Sequence, residues 1–137
     1  YAVNAALSGL TKWITTGQTP PPSPRLEYAN GKVVRDANGN AVGGIRLPHM
    51  DAATATNNYN NYGSIGAGGN FLVNAFACPF LGNTVPFSKA KLQTLYPTHQ
   101  DYVAKFTEAA DAALNAGFLV QADYDEAVAQ AQAAEVP

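Results

Sequence analysis

Basic residues are scarce in this chain: eight Lys and Arg stand against ten Asp and Glu, for a net charge of −2. A binder of nucleic-acid phosphates needs a cationic footprint, and none is present. Long apolar runs are missing as well, and none approaches the roughly 20 residues that span a bilayer. The first residues have neither the charged start nor the apolar stretch of a signal peptide, and no initiator Met. A helical pattern begins almost at once, as expected of the middle of a longer polypeptide. Cysteine is limited to Cys78, which excludes an internal disulfide and any zinc pattern. A buried thiol and a disulfide to a cysteine outside these residues both remain open. A catalytic thiol is disfavoured, because no His or Asn lies near it in sequence.

What is present suits one modest domain. The 137 residues are 47% apolar, so the chain is neither disordered nor a simple repeat. Residues 2–16 place Val3, Ala6, Leu7, Leu10, Trp13 and Ile14 at helical spacing, with Gly17 as a natural stop. A Pro-rich strap follows over 17–31, because the prolines at 20, 21, 22 and 24 hold an extended backbone. Its commonest use is structural, and a ligand for SH3-type domains is the alternative. Leu26 to Tyr28 and Lys32 to Val34 can be short strands, with Asn30-Gly31 and Asn38-Gly39 as turns.

Residues 32–48 read as a hairpin. Its run is Arg35-Asp36-Ala37-Asn38-Gly39-Asn40-Ala41-Val42-Gly43-Gly44-Ile45-Arg46-Leu47-Pro48-His49. Asn38-Gly39 suits a type I′ turn, which needs positive φ at both central positions. Gly43 and Gly44 allow a bulge or a close backbone approach, and Pro48 fixes the exit. Residues 52–86 read as a long loop of poor periodicity, rich in Asn, Tyr and Gly. Residues 88–136 read as helices. Ser88 caps the first, Thr98 with Asp101 forms a capping box for the second up to Ala116, and Asp123 with Glu126 caps an Ala-rich third.

Reaction chemistry is thin. The glycines at 63, 66, 68 and 69 have no Gly-Lys-Ser/Thr, and Ser64 lacks the Gly-x-Ser-x-Gly spacing of a nucleophile elbow. His99 falls at the start of a helix and reads as a surface or capping residue. His49 has Asp51 only two residues away, too close in sequence to orient it as a catalytic base without unusual backbone geometry. Asp36-Ala37-Asn38-Gly39-Asn40 echoes a calcium loop but lacks its remaining spacing and terminal Glu. The residues thus point to no cofactor, no metal and no catalytic group.

Several segments nevertheless carry a resemblance. These are 10–21, with Lys12-Trp13-Ile14, 35–49 as quoted above, and 78–87, which begins Cys78-Pro79-Phe80. To them are added 95–102, with Tyr96-Pro97-Thr98-His99, and 116–123, with Gly117-Phe118-Leu119. In order and over nearly the whole chain they resemble the C-terminal part of the large "alpha/beta hydrolase domain-containing" family. The chain departs from the family pattern at Ala52-Ala53, where a proline is usual, and in its Asn-rich loop.

The resemblance implies an α/β fold class, with this chain as the helix-rich C-terminal portion of an α/β-hydrolase-type fold carrying a short β-hairpin and long loops. It implies hydrolysis of ester-like bonds by a Ser-His-acid triad whose nucleophile and histidine lie upstream, so no catalytic residue is carried over. The first partner is then the remainder of its own polypeptide, and the second a small ester-like substrate. Within 43–51, Gly43-Gly44 and Pro48 present Arg46, His49 and Met50 at a defined place, as substrate-binding candidates or, in the reading given more weight, as local architecture in which Arg46 holds a carboxylate. Members of such families are often exported, secreted or periplasmic, and Cys78 is then the disulfide candidate. A non-catalytic helical interaction or cap module is the alternative, and a free-standing small esterase using Ser64 and His49 is a third reading.

Overall fold

A computed structural model describes residues 1–58 and 82–137. Helix α1 spans Ala2–Thr16 and stops at Gly17, whose N–H donates to the Trp13 carbonyl at 2.8 Å. Its small-residue face lies inward. Ala5 is buried, and a Cβ added at Gly9 would come within 3.5 Å of Pro20 on the strap. Across the fold, Asn4 Nδ2 donates to both carboxylate oxygens of the buried Asp123, at 2.9 and 3.0 Å. The large residues face the other way. Val3 is 70% exposed, Leu7 58%, Leu10 45% and Ile14 76%.

Strands β1 (Tyr28–Ala29) and β2 (Lys32–Val33) pair antiparallel around Asn30 and Gly31, whose φ values of 52° and 74° are those of a type I′ turn. The sequence places that turn type at Asn38-Gly39, and the structure corrects this. There only Gly39 has positive φ, and its N–H donates to Asp36 O while Asp36 N–H donates to Asn40 O. The result is a three-residue connection, a turn followed by one left-handed residue. Pairing also reaches outside 32–48. Val34 N–H donates to Glu27 O, Val42 N–H to Val34 O and Glu27 N–H to Val42 O, so three short segments bond one another pairwise. Gly43 and Gly44 (φ 76° and 72°) permit this closure. A Cβ on Gly43 would sit 2.5 Å from the Arg25 carbonyl, and one on Gly44 would sit 2.9 Å from Leu26.

The hairpin region ends where helix α2 (Pro48–Asp51) begins, with the buried Pro48 at its start. Strand β3 (Ala55–Asn58) then pairs antiparallel with β4 (Asn83–Pro86), Ala55 opposite Pro86 and Asn58 opposite Asn83. The reading of 52–86 as one long loop is therefore corrected at both ends. The cause is tertiary. The wholly buried Asn40 donates to Ala55 O at 3.0 Å and accepts from Asn57 N–H at 2.7 Å, while Thr56 Oγ1 donates to Asn38 O at 2.6 Å. These bonds hold an Asn-rich segment extended against its local preference.

Helix α3 (Lys89–Leu95) is capped by Ser88, and α4 (His99–Asn115) by the reciprocal capping box of Thr98 and Asp101. Helix α5 (Gln121–Ala133) starts earlier than the sequence suggests, with Val120 at the cap position. Asp123 thus lies inside the first turn and is used on Asn4 instead of capping. The core sits where α4 meets α2 and α5. Phe106, Tyr102 and Tyr96 form a chain of tilted and edge-on rings, closed by Ala52, Ala127 and Ala131. Tyr96 adds a polar tie, its hydroxyl donating to Ala53 O at 2.9 Å.

Two outcomes follow for stability. Phe106→Ala should cost about 3–5 kcal/mol in urea unfolding, because the ring is 1% exposed and lies at the centre of the cluster. Burial pushes the Tyr96 hydroxyl up to about 12, from an ordinary value of 10.0. The folded chain therefore keeps this proton where the unfolded chain loses it, and stability falls as pH rises from about 10 to about 12. Tyr96→Phe should lower neutral-pH stability by about 1 kcal/mol and flatten part of that alkaline fall.

Candidate functional site: the hairpin and helix α2

Arg46 joins the hairpin to α2. Its Nε pairs with the Asp51 carboxylate, Nη1 donates to Ala41 O at 2.7 Å and Nη2 donates to Met50 O at 3.1 Å. The same Nη2 lies 3.8 Å from Asp36 Oδ2. The fork geometry of a guanidinium is used here on four groups of the protein itself, a demand that a lysine could not meet. Arg46 thus serves the local architecture.

Asp36 completes the joint from the hairpin side. Its Oδ1 accepts from the backbone N–H groups of Asn38 at 2.8 Å and Asn40 at 2.9 Å. The calcium-like spacing of 36–40 is therefore spent on a side-chain-stabilised turn. No group of His, Cys, Asp and Glu suited to a metal occurs among the described residues.

The next residues on α2 point to two different places. The His49 ring stacks on Tyr1 (centroids 5.7 Å apart) and meets Phe106 edge-on at 5.0 Å, although the residue as a whole keeps solvent exposure. Packing of the ring removes it from water, and this burial moves its pKa below the usual histidine value. Among the described residues no carboxylate hydrogen-bonds the ring, so the orienting acid of a catalytic base is not supplied there. Met50 turns toward a cleft of about 330 Å³ beside the hairpin, walled by Leu26, Tyr28, Val33 and Met50, with Arg35 and Asn57 at its polar side. Asn57 Nδ2 approaches the Met50 sulfur at 3.7 Å and so fixes the end of this flexible side chain. The structure therefore brings Arg46 and Met50 together through the backbone carbonyl of Met50, and sends His49 to the core side.

His99 starts α4, and its two ring nitrogens lie 3.0 Å from Val136 O and 3.1 Å from Gln132 O. The ring ties the end of α5 to the start of α4 and is not presented to a ligand. Cys78 and Ser64 lie outside the described residues. Sequence reasoning missed Tyr28, Leu26 and Val33 as cleft walls. The alternation Leu26, Tyr28 in the strap was the available signal, but their meeting with Met50 depends on the Arg46 joint.

A family model described as "Alpha/beta hydrolase domain" matches residues 1–129, and the chain belongs to that family. No curated protein and no solved structure matches it. The helix-rich chain with short antiparallel strand pairs is a helical portion of an α/β fold of the hydrolase type. No helix among the described residues is long and apolar enough to cross a membrane.

The direction of the His49 shift carries a checkable outcome. Its proton is taken up less readily in the folded chain than in the unfolded one, so stability is complete above about pH 6.5 and declines as the solution is acidified below that point. In His49→Gln the part of the acid decline due to this group should vanish, as read by urea midpoints between about pH 7 and 5. An unchanged slope would mean that the ring is not shielded by Tyr1 and Phe106.

Proposed function

We propose that this chain is the C-terminal helical portion of a serine hydrolase acting on ester-like bonds. In this reading it completes the body and the pocket rim, while another segment of its own polypeptide brings the nucleophile. Membership of the hydrolase family supports the reaction class. Neither described histidine has a triad's surroundings, since His99 is spent on two carbonyls and His49 on two aromatic rings. In this reading the nucleophile and its base lie in another segment of the polypeptide.

One observation carries the reading, the outward stripe of α1. Val3, Leu7, Leu10 and Ile14 recur at intervals of four, three and four residues, which aligns them along about 17 Å of one helix edge. Surface helices put charged residues on the solvent side, yet the one charged residue of α1 is Lys12, on the opposite side from the stripe. Such spacing fits the groove of a single apposed helix crossing at about 20°. In this reading the occupant is a helix of the remaining polypeptide. Its partner surfaces are then the remainder of the chain's own fold and, at the rim, a small ester-like substrate held near Met50 and the Arg46 joint.

Hydrolysis of p-nitrophenyl acetate tests this. Residues 1–137 alone should turn over at the background rate, and the complete polypeptide should hydrolyse the ester with a serine-directed phosphonate abolishing the activity. An active 1–137 chain that loses activity on Ser64→Ala or His49→Ala would replace this reading with that of a free-standing small esterase. A complete polypeptide without hydrolytic activity would favour a non-catalytic cap module.

A further inference from the structure

The cleft beside the hairpin has a chemical character that the family assignment does not specify. Its walls are the side chains of Leu26, Tyr28, Val33 and Met50, drawn from β1, its preceding segment, β2 and α2. At about 330 Å³ it stands at the small end of ligand-binding cavities, room for one arm of a molecule and not for a large one. Two of its walls, Leu26 and Tyr28, keep 43% and 66% exposure, so a ligand would have apolar surface left to cover.

Asn57 and Arg35, at the polar side of this cleft, bond within the protein. Asn57 directs its amide nitrogen to the Met50 sulfur, and its amide oxygen accepts from Thr84 Oγ1 at 3.0 Å. Arg35 Nη1 donates to the Gly39 carbonyl. Behind the wall the charge of Arg46 is held by Asp51 and Asp36. With the Asn57 amide and an Arg35 donor engaged internally, the four apolar walls offer a ligand mainly contact area. Such a cleft discriminates by length and shape, with each methylene that fits adding affinity.

We propose that this cleft receives the neutral, apolar acyl arm of an ester substrate, and that Tyr28 and Met50 set the preferred acyl length. The thioether can follow the contour of a flexible chain, and the Tyr28 ring can cover it with a broad face. This assignment rests on the hydrolase reading for the name of the ligand, but the binding event itself needs no turnover.

Met50 is the single methionine of the chain, so its methyl group gives one resolved signal when the purified protein carries ¹³C-methyl methionine. Titration with methyl hexanoate should shift that signal saturably, and methyl acetate at equal concentration should leave it in place. Tyr28→Ala should weaken hexanoate binding by at least about tenfold, since it removes more than one methylene's worth of wall. Lys32→Ala, on the same hairpin but outside the cleft, should bind normally. A Met50 signal that methyl hexanoate leaves unmoved, that moves without saturation, or that responds equally in the Tyr28→Ala protein would overturn the assignment. Because the readout is binding, a failure here leaves the ester-hydrolysis test standing, and inactivity there leaves this one standing. In the complete polypeptide, Tyr28→Ala should also raise KM for a hexanoate ester more than for an acetate ester with kcat little changed. An equal effect on the two esters would likewise contradict an acyl-length role.

Discussion

The guanidinium of Arg46 holds two unlike pieces of this chain in one arrangement. On one side are three short segments too brief to be stable alone, and on the other is the four-residue helix α2, which is equally marginal. Arg46 draws on both, taking Asp36 and the Ala41 carbonyl from the first and Asp51 and the Met50 carbonyl from the second. Once α2 is set, His49 packs onto Phe106 and Ala52 enters the core of α4 and α5. Met50 at the same time reaches the cleft. Buried Asn40 does the equivalent work one layer away, tying the hairpin tip to β3. The small strand pairs therefore persist through side-chain bonds to their neighbours more than through sheet formation.

Local signals in the sequence were strongest where the physics is local. The helix over 2–16 and its stop at Gly17 follow from spacing and from one glycine. Thr98 and Asp101 announce the start of α4 because a capping box needs only residues three apart. Asn30-Gly31 was equally legible as a turn, and only the assignment of turn type to Asn38-Gly39 failed. That site has Asp36 and Arg35 to stabilise a different closure, and both act through side chains whose direction the sequence does not display.

Long-range polar pairs were the illegible part. Asn4 and Asp123 are separated by 119 positions, and nothing in either neighbourhood hints at the other. Asn40 has the look of a turn residue and turns out to be wholly buried between two backbone groups 15 and 17 residues away. For the candidate site, Met50 could be marked as a potential wall because Pro48 fixes the path. Arg46 could be named but its role stood open between ligand and architecture. The apolar period of α1 was plain as well, but periodicity shows that a stripe exists and not what covers it.

That stripe bears the weight of the functional account, and leucine truncation reads it most directly. Leu10→Ala in residues 1–137 should change urea stability by no more than about 0.5 kcal/mol, because the side chain there is nearly half exposed. In the complete polypeptide the same substitution should cost about 2–5 kcal/mol, the cost of emptying a packed site. Equally small losses in both would contradict the account, since they would mean that no helix of the same polypeptide covers α1.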